Sequence, residues 1–155
     1  MKIEFTREEF RNLMDMICIA EWIMNSNTVG ERKETADYRE LEQKIYSHCE
    51  EMGVGDLVEK SKELGRFYPT DEYRENGPPM QFIDEYTEDI FWEELINRMA
   101  ERDAIKMAGS AEAYLEWQIG KQIEILCNLE QKYANAFEKK GLDALILKTS
   151  KKRKR

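Results

Sequence analysis

Between Gly109-Ser110 and Gly141 the chain runs about thirty residues without a proline, and its apolar side chains recur at helical spacing: Ile119, Ile123, Leu126, Leu129, Tyr133 and Phe137. Ser110 is placed to cap the start of this run. Gly141 is placed to close its end in a left-handed conformation, with Leu142 packing back on the last turn. One helix over Ala111–Lys140 is therefore predicted, about 45 Å long at 1.5 Å per residue, interrupted only by Gly120. Its apolar face is wider than one heptad seam, since Ile123 and Leu129 both belong to it. So broad a face calls for burial in a bundle, not in a two-stranded coil.

The rest of the chain reads the same way. Thr6 with Glu9 three residues on forms a capping box, flanked by Phe5 and Phe10 at the positions of a hydrophobic staple. The stripe Phe10, Leu13, Met14, Ile17, Cys18 and Met24 follows, and Asn25 to Gly30 end the helix with turn-forming residues. A second helix is predicted over Thr35–Met52, with Tyr38, Leu41, Ile45, Cys49 and Met52 on one face and Gly53 closing it. Asp56 with Glu59 suggests the start of a short third helix, which reaches Leu64 and stops at Gly65. Arg66–Pro79 has no periodicity and reads as the longest loop. A further helix is expected to start near Thr87-Glu88-Asp89, acids that favour a helix N-terminus. Its face carries Ile90, Phe91, Trp92, Leu95, Ile96 and Met99. Ile90, Phe91 and Trp92 together wrap more than half a circumference, so one of them must face a second layer, a loop or a partner.

Only three prolines occur in 155 residues, and 36% of the chain is charged, which suits helices with solvated outer faces. The expected fold is all-α: a single-domain bundle of about four to six helices over residues 1–147, with a long C-terminal helix and a short basic tail at 148–155. Phe10, Leu13, Ile17, Leu41, Ile45, Leu95, Met99, Ile119, Leu126 and Tyr133 are the expected core.

Charge is the other strong constraint. The last eight residues hold six basic side chains and no acid; the remaining 147 hold 18 basic residues against 32 acidic ones, a net of −14. Such a body repels nucleic acid, leaving Lys151, Lys152, Arg153, Lys154 and Arg155 as the candidate phosphate contacts. The same run resembles a nuclear-localisation patch. A strongly acidic body suits steering toward basic surfaces.

Catalytic patterns are sparse. His48 is the single histidine, and Ile45 stands three residues before it, where a di-iron bundle has glutamate. His48-Cys49 is one adjacent pair without the partners of a zinc site. Gly53-Val54-Gly55 lacks the further glycine or the Gly-Lys-Ser/Thr of a phosphate loop. Cys18, Cys49 and Cys127 lie in apolar helical patterns and read as small buried hydrophobes in a reducing compartment. No export signal is visible at Met1 to Phe5, so a cytoplasmic location is expected. Glu85 and Glu88 share a helix face and are the carboxylates a magnesium-dependent hydrolase would use, but no second Glu-x-x-Asp follows downstream.

The functional expectation is a small cytoplasmic acidic protein that binds a macromolecular partner, a basic protein or a copy of itself, and more readily a binder than an enzyme. Asp84, Glu88 and Glu93 are the expected charged contacts, with Trp22 and Trp117 as aromatic anchors. The rivals are a carboxylate-magnesium hydrolase on Glu85 and Glu88, and a nucleic-acid accessory protein held by its tail. No metal, no cofactor and no membrane contact are expected.

Overall fold

The computed structural model describes residues 2–30 and 32–146. By packing, the chain divides into two compact units, Met1–Thr87 and Glu88–Arg155. Helix dominates both, and one two-stranded hairpin is the exception among the described residues, so the class is all-α. No helix among these residues is long and apolar enough to cross a membrane.

The first unit opens with α1, Arg7–Asn25, capped as its sequence predicts. The Glu9 N–H donates to Thr6 Oγ1 (3.2 Å), and the Thr6 N–H donates back to Glu9 Oε2 (2.8 Å). Phe5 meets Phe10 edge-on with ring centroids 6.2 Å apart, completing the staple. Phe10, Met14 and Cys18, spaced four residues apart, bury one stripe against Tyr46, Cys49, Val54, Leu57 and Tyr73. The Tyr73 hydroxyl, on the far side of a long sequence separation, donates to Asp15 Oδ1 at 2.5 Å.

Here the structure departs from the expected elements. The second helix, α2, spans Ala36–Tyr46 and stops short of Met52. Ser47 bonds its own hydroxyl to the Lys44 carbonyl, and a series of tight turns runs on to Gly53, whose φ of 72° only glycine adopts readily. The segment expected as a short helix from Asp56 is instead a single 3₁₀ turn followed by strand β1, Val58–Lys60. It pairs antiparallel with β2, Phe67–Pro69, in the register Val58↔Pro69 and Lys60↔Phe67. Strand β2 is held from its other side by Gln43, whose amide both donates to the Phe67 carbonyl and accepts from the Phe67 N–H, each at 2.8 Å. That clamp supplies the rung a lone hairpin lacks. Thr70 then caps α3, Asp71–Asn76.

Helix α4, Pro78–Ala108, starts nine residues before the expected Thr87. Prolines belong at the first turn of a helix, where their missing N–H has no partner to lose. Thr87 is a mid-helix residue whose hydroxyl donates back to the Ile83 carbonyl at 2.6 Å. The predicted continuous helix from Ala111 is two helices, α5 (Ala111–Leu115) and α6 (Ile119–Lys140). Gln122 braces the break: its side-chain amide donates to the Tyr114 carbonyl (3.1 Å), which also accepts from the Trp117 N–H, and to the Trp117 carbonyl (2.9 Å). Ser110 caps α5, and Gly141, at φ 53°, closes α6.

In the second unit α4 packs on α6. Ala100 and Ala104 are wholly buried, and Tyr133 and Phe137 pack against Ala100, with Leu95, Met99 and Leu126 half-buried around them. Tyr133 donates to Asp103, which Arg102 and Lys106 also hold. Two expected core residues are corrected: Leu41 is 57% and Ile119 is 74% exposed. Leu41 lies on the outer side of α2. For Ile119 the reason is length. The pairing that sets Tyr133 against Asp103 brings α4 to its end at Ala108 before it reaches the first turn of α6. One other expectation changes as well: Cys127 is exposed, unlike Cys18 and Cys49. His48 is exposed and pairs with Glu51 at 3.3 Å.

Candidate functional site

Two concave features stand out, one in each unit. The first is an open groove along the α4–α6 seam. Glu93 and Asp89 of α4 face Glu130 and Cys127 of α6 across about 650 Å³. Past Ile96 and Ala134, which line both parts, it continues into a recess of about 320 Å³ walled by Trp92, Phe137 and Glu138. Four carboxylates therefore border one apolar floor, and among the described residues no lysine or arginine lines either part. The floor is braced by aromatic contacts. Trp92 lies 5.5 Å from Phe137 between ring centroids, and its indole N–H donates to Glu88 Oε1 at 2.5 Å.

The sequence-selected residues distribute unevenly around this groove. Glu93 lines it. Glu88 anchors Trp92 and so serves the floor. Asp84 is exposed on the part of α4 that belongs to the first unit. Trp22 is half-buried on α1, also in the first unit. Trp117 sits at the α5–α6 joint, edge-on to Tyr114 at 5.6 Å and covered by the Lys121 ammonium 3.9 Å above its ring. It lies outside the groove lining. Glu85 accepts a hydrogen bond from Gln81 at 2.9 Å. Among the described residues no three His, Cys, Asp or Glu side chains converge in a way that could hold a metal ion. Lys151, Lys152, Arg153, Lys154 and Arg155 lie outside the described residues.

The second feature is a partly open cavity of about 200 Å³ in the first unit, which the sequence reading missed. Helix α1 contributes Cys18 and Glu21, α2 contributes Arg39, Glu42 and Tyr46, and the β2 segment walls the far side with Phe67 and Pro69. Arg66 and Arg74 stand at its edge. Glu42 is half-buried. Burial, and after it the charge of Glu21, push its carboxyl from 4.5 up to about 7, against the opposing pull of Arg39. Burial raises the Cys18 thiol to about 11, so this sulfur is protonated at neutral pH and is not a nucleophile there. The only local sequence signal was the Glu42/Tyr46 and Cys18/Glu21 spacing, which places each pair on one helix face. In a chain with 32 acids, that spacing does not single out the buried one.

No protein-family model matches this chain, and comparison with curated proteins and with solved structures finds no significant match.

Proposed function

We propose that this is a cytoplasmic binding protein whose acidic groove between α4 and α6 takes an amphipathic helix with basic flanks from a partner protein. The observation that supports this is the lining itself: Asp89, Glu93, Glu130 and Glu138 around Ile96, Ala134, Trp92 and Phe137, without a basic side chain among the described residues. An apolar helix face would fill the floor, and lysines or arginines beside it would meet the carboxylate rim, the arrangement used by helix-in-groove recognition. Charge favours this occupant over a second copy of the chain, because a self-pair through the same face would bring eight carboxylates together. The free thiols of Cys18, Cys49 and Cys127 accord with a reducing compartment.

Calorimetry with a synthetic amphipathic helix of leucine and lysine, and with its glutamate-for-lysine counterpart, tests the reading. The basic peptide should bind and the acidic one should not. Glu93→Lys with Glu130→Lys should weaken binding at least about tenfold, with the larger effect on association rate at low salt. Equal binding of both peptides would overturn the proposal. So would a concentration-dependent dimer in sedimentation that Ile96→Asp abolishes, since the groove would then belong to a second copy.

A further inference from the structure

We propose that the cavity of the first unit is a binding site for a small organic cation, a primary amine or guanidine on an aromatic or aliphatic body, received by Glu42, Glu21 and the Tyr46 hydroxyl. The proposal is independent of the groove.

Two observations on the cavity converge. Tyr46 is only 4% exposed, yet its hydroxyl has no hydrogen-bond partner among the described residues, and its side chain lines the cavity. Among the described residues no buried side-chain polar atom is left without a partner, so this hydroxyl is one that solvent reaches through the cavity, where a ligand donor can take the water's place. The same holds for Glu42, which forms no hydrogen bond or ion pair with described residues, although it is half-buried and faces a like charge in Glu21. A donor-bearing cation in the cavity would neutralise the repulsion between the carboxylates and donate to the hydroxyl oxygen.

The arginines do not turn the site toward anions, because each is engaged elsewhere. Arg66 pairs with Glu40 at 2.9 Å, and Arg74 with Asp71 at 2.6 Å. Arg39 donates to Thr35 Oγ1 at 2.8 Å and to the Arg32 carbonyl at 2.9 Å. The walls are fixed in advance: the Gln43 clamp on Phe67 holds β2 against α2, and Phe67 and Pro69 give an apolar side for the body of the ligand. A volume of about 200 Å³ admits a fragment-sized molecule.

Such a cation needs Glu42 ionised. The groups facing it are Glu21 and Cys18 from α1, Arg39 and Tyr46 from α2, Arg66 beside β2 and Arg74 from α3. With the carboxyl titrating near 7, affinity should rise about tenfold from about pH 6 to about pH 8, with a proton released on binding below neutrality.

Benzylamine is the probe, with benzyl alcohol and benzoate as neutral and anionic molecules of the same shape, titrated into the full chain by calorimetry and observed by NMR. Benzylamine should bind alone of the three. Glu42→Gln should weaken it at least about tenfold and abolish the pH dependence, and Tyr46→Phe should weaken it by a smaller factor with the pH dependence kept. Circular dichroism checks that both variants fold. Preference for benzoate, unchanged affinity in a folded Glu42→Gln variant, or no benzylamine binding at millimolar concentration would each overturn the proposal.

Discussion

Replacing Glu42 with glutamine should leave stability unchanged at about pH 4 and raise it at about pH 8. The carboxyl sits at about 7 in the folded chain, against an ordinary 4.5. Between those values the folded chain retains a proton that the unfolded chain has released, so wild-type stability falls as pH rises through the window. Each tenfold in the protonation equilibrium corresponds to about 1.4 kcal/mol, which sets a ceiling of about 3 kcal/mol on the penalty. Half of Glu42 still touches water, and screening of that half brings the expected effect down to about 1–1.5 kcal/mol. Glutamine keeps the shape and cannot ionise. Urea unfolding of both proteins, followed by circular dichroism over a pH series, measures the gap directly. A gap of equal size at both ends would mean that Glu42 titrates like a solvated acid. A wild type that gains on the variant as pH rises would mean that Arg39 stabilises the carboxylate more than burial and Glu21 destabilise it. Either result refutes the reasoning.

Met14, 1% exposed at the centre of the first unit, should lose about 2–5 kcal/mol on truncation to alanine, whereas Leu126, only half-buried on α6, should lose about 1–2 kcal/mol; denaturant unfolding separates them. Gln43→Ala removes both bonds to Phe67 and should destabilise the unit by about 1–3 kcal/mol, with faster amide exchange at the Phe67 N–H as the local sign. Hydrogen bonds from Arg102, Tyr133 and Lys106 hold the Asp103 carboxyl well below its ordinary range. Its contribution is therefore present above the unfolded value and lost as pH falls through the folded one. Asp103→Asn should flatten that acid limb in a plot of melting temperature against pH.

How much of this was legible in the sequence depends on how local each signal is. The α1 start is fully local: Thr6, Glu9, Phe5 and Phe10 interact within one turn, so their spacing predicts the cap and the staple that form. The β1–β2 hairpin is decided at a distance. Asp56 and Glu59 suit a helix start, but the strand partner of Glu59 is Tyr68, and the side chain that clamps the sheet comes from Gln43. Tertiary pairing overrides a weak local propensity there. Pro78-Pro79 closes a stretch without periodicity and so reads as loop, yet α4 begins there, because proline's tolerance at the first turn is positional and leaves no periodic signal. The crowded run Ile90-Phe91-Trp92 announced that one residue must face another layer. Trp92 does so against Phe137, while Ile90 and Phe91 stay 37% and 46% exposed.

The acids show the same division more sharply, because a carboxylate's work is set by what surrounds it and not by its own spacing. Glu9 caps a helix, Asp103 gathers Arg102, Lys106 and Tyr133, and Glu88 holds an indole N–H; these three are structural. Glu93 and Glu130 border a groove with no basic side chain in its lining among the described residues, and Glu42 lies half-buried against Glu21 with Arg39 opposing only part of the cost, so these carry the charge that the described fold compensates least. Poorly compensated charge beside apolar surface is unfavourable in the free protein and is relieved when the carboxylate takes up a proton or a cation arrives. That asymmetry, and not the net of −14, separates the carboxylates placed to bind from those placed to fold. Glu88 and Glu93, neighbours on α4, therefore fall on opposite sides of the line: charge reversal at Glu88 should release Trp92 and disturb the floor, while charge reversal at Glu93 should leave the seam intact and alter only what the groove attracts.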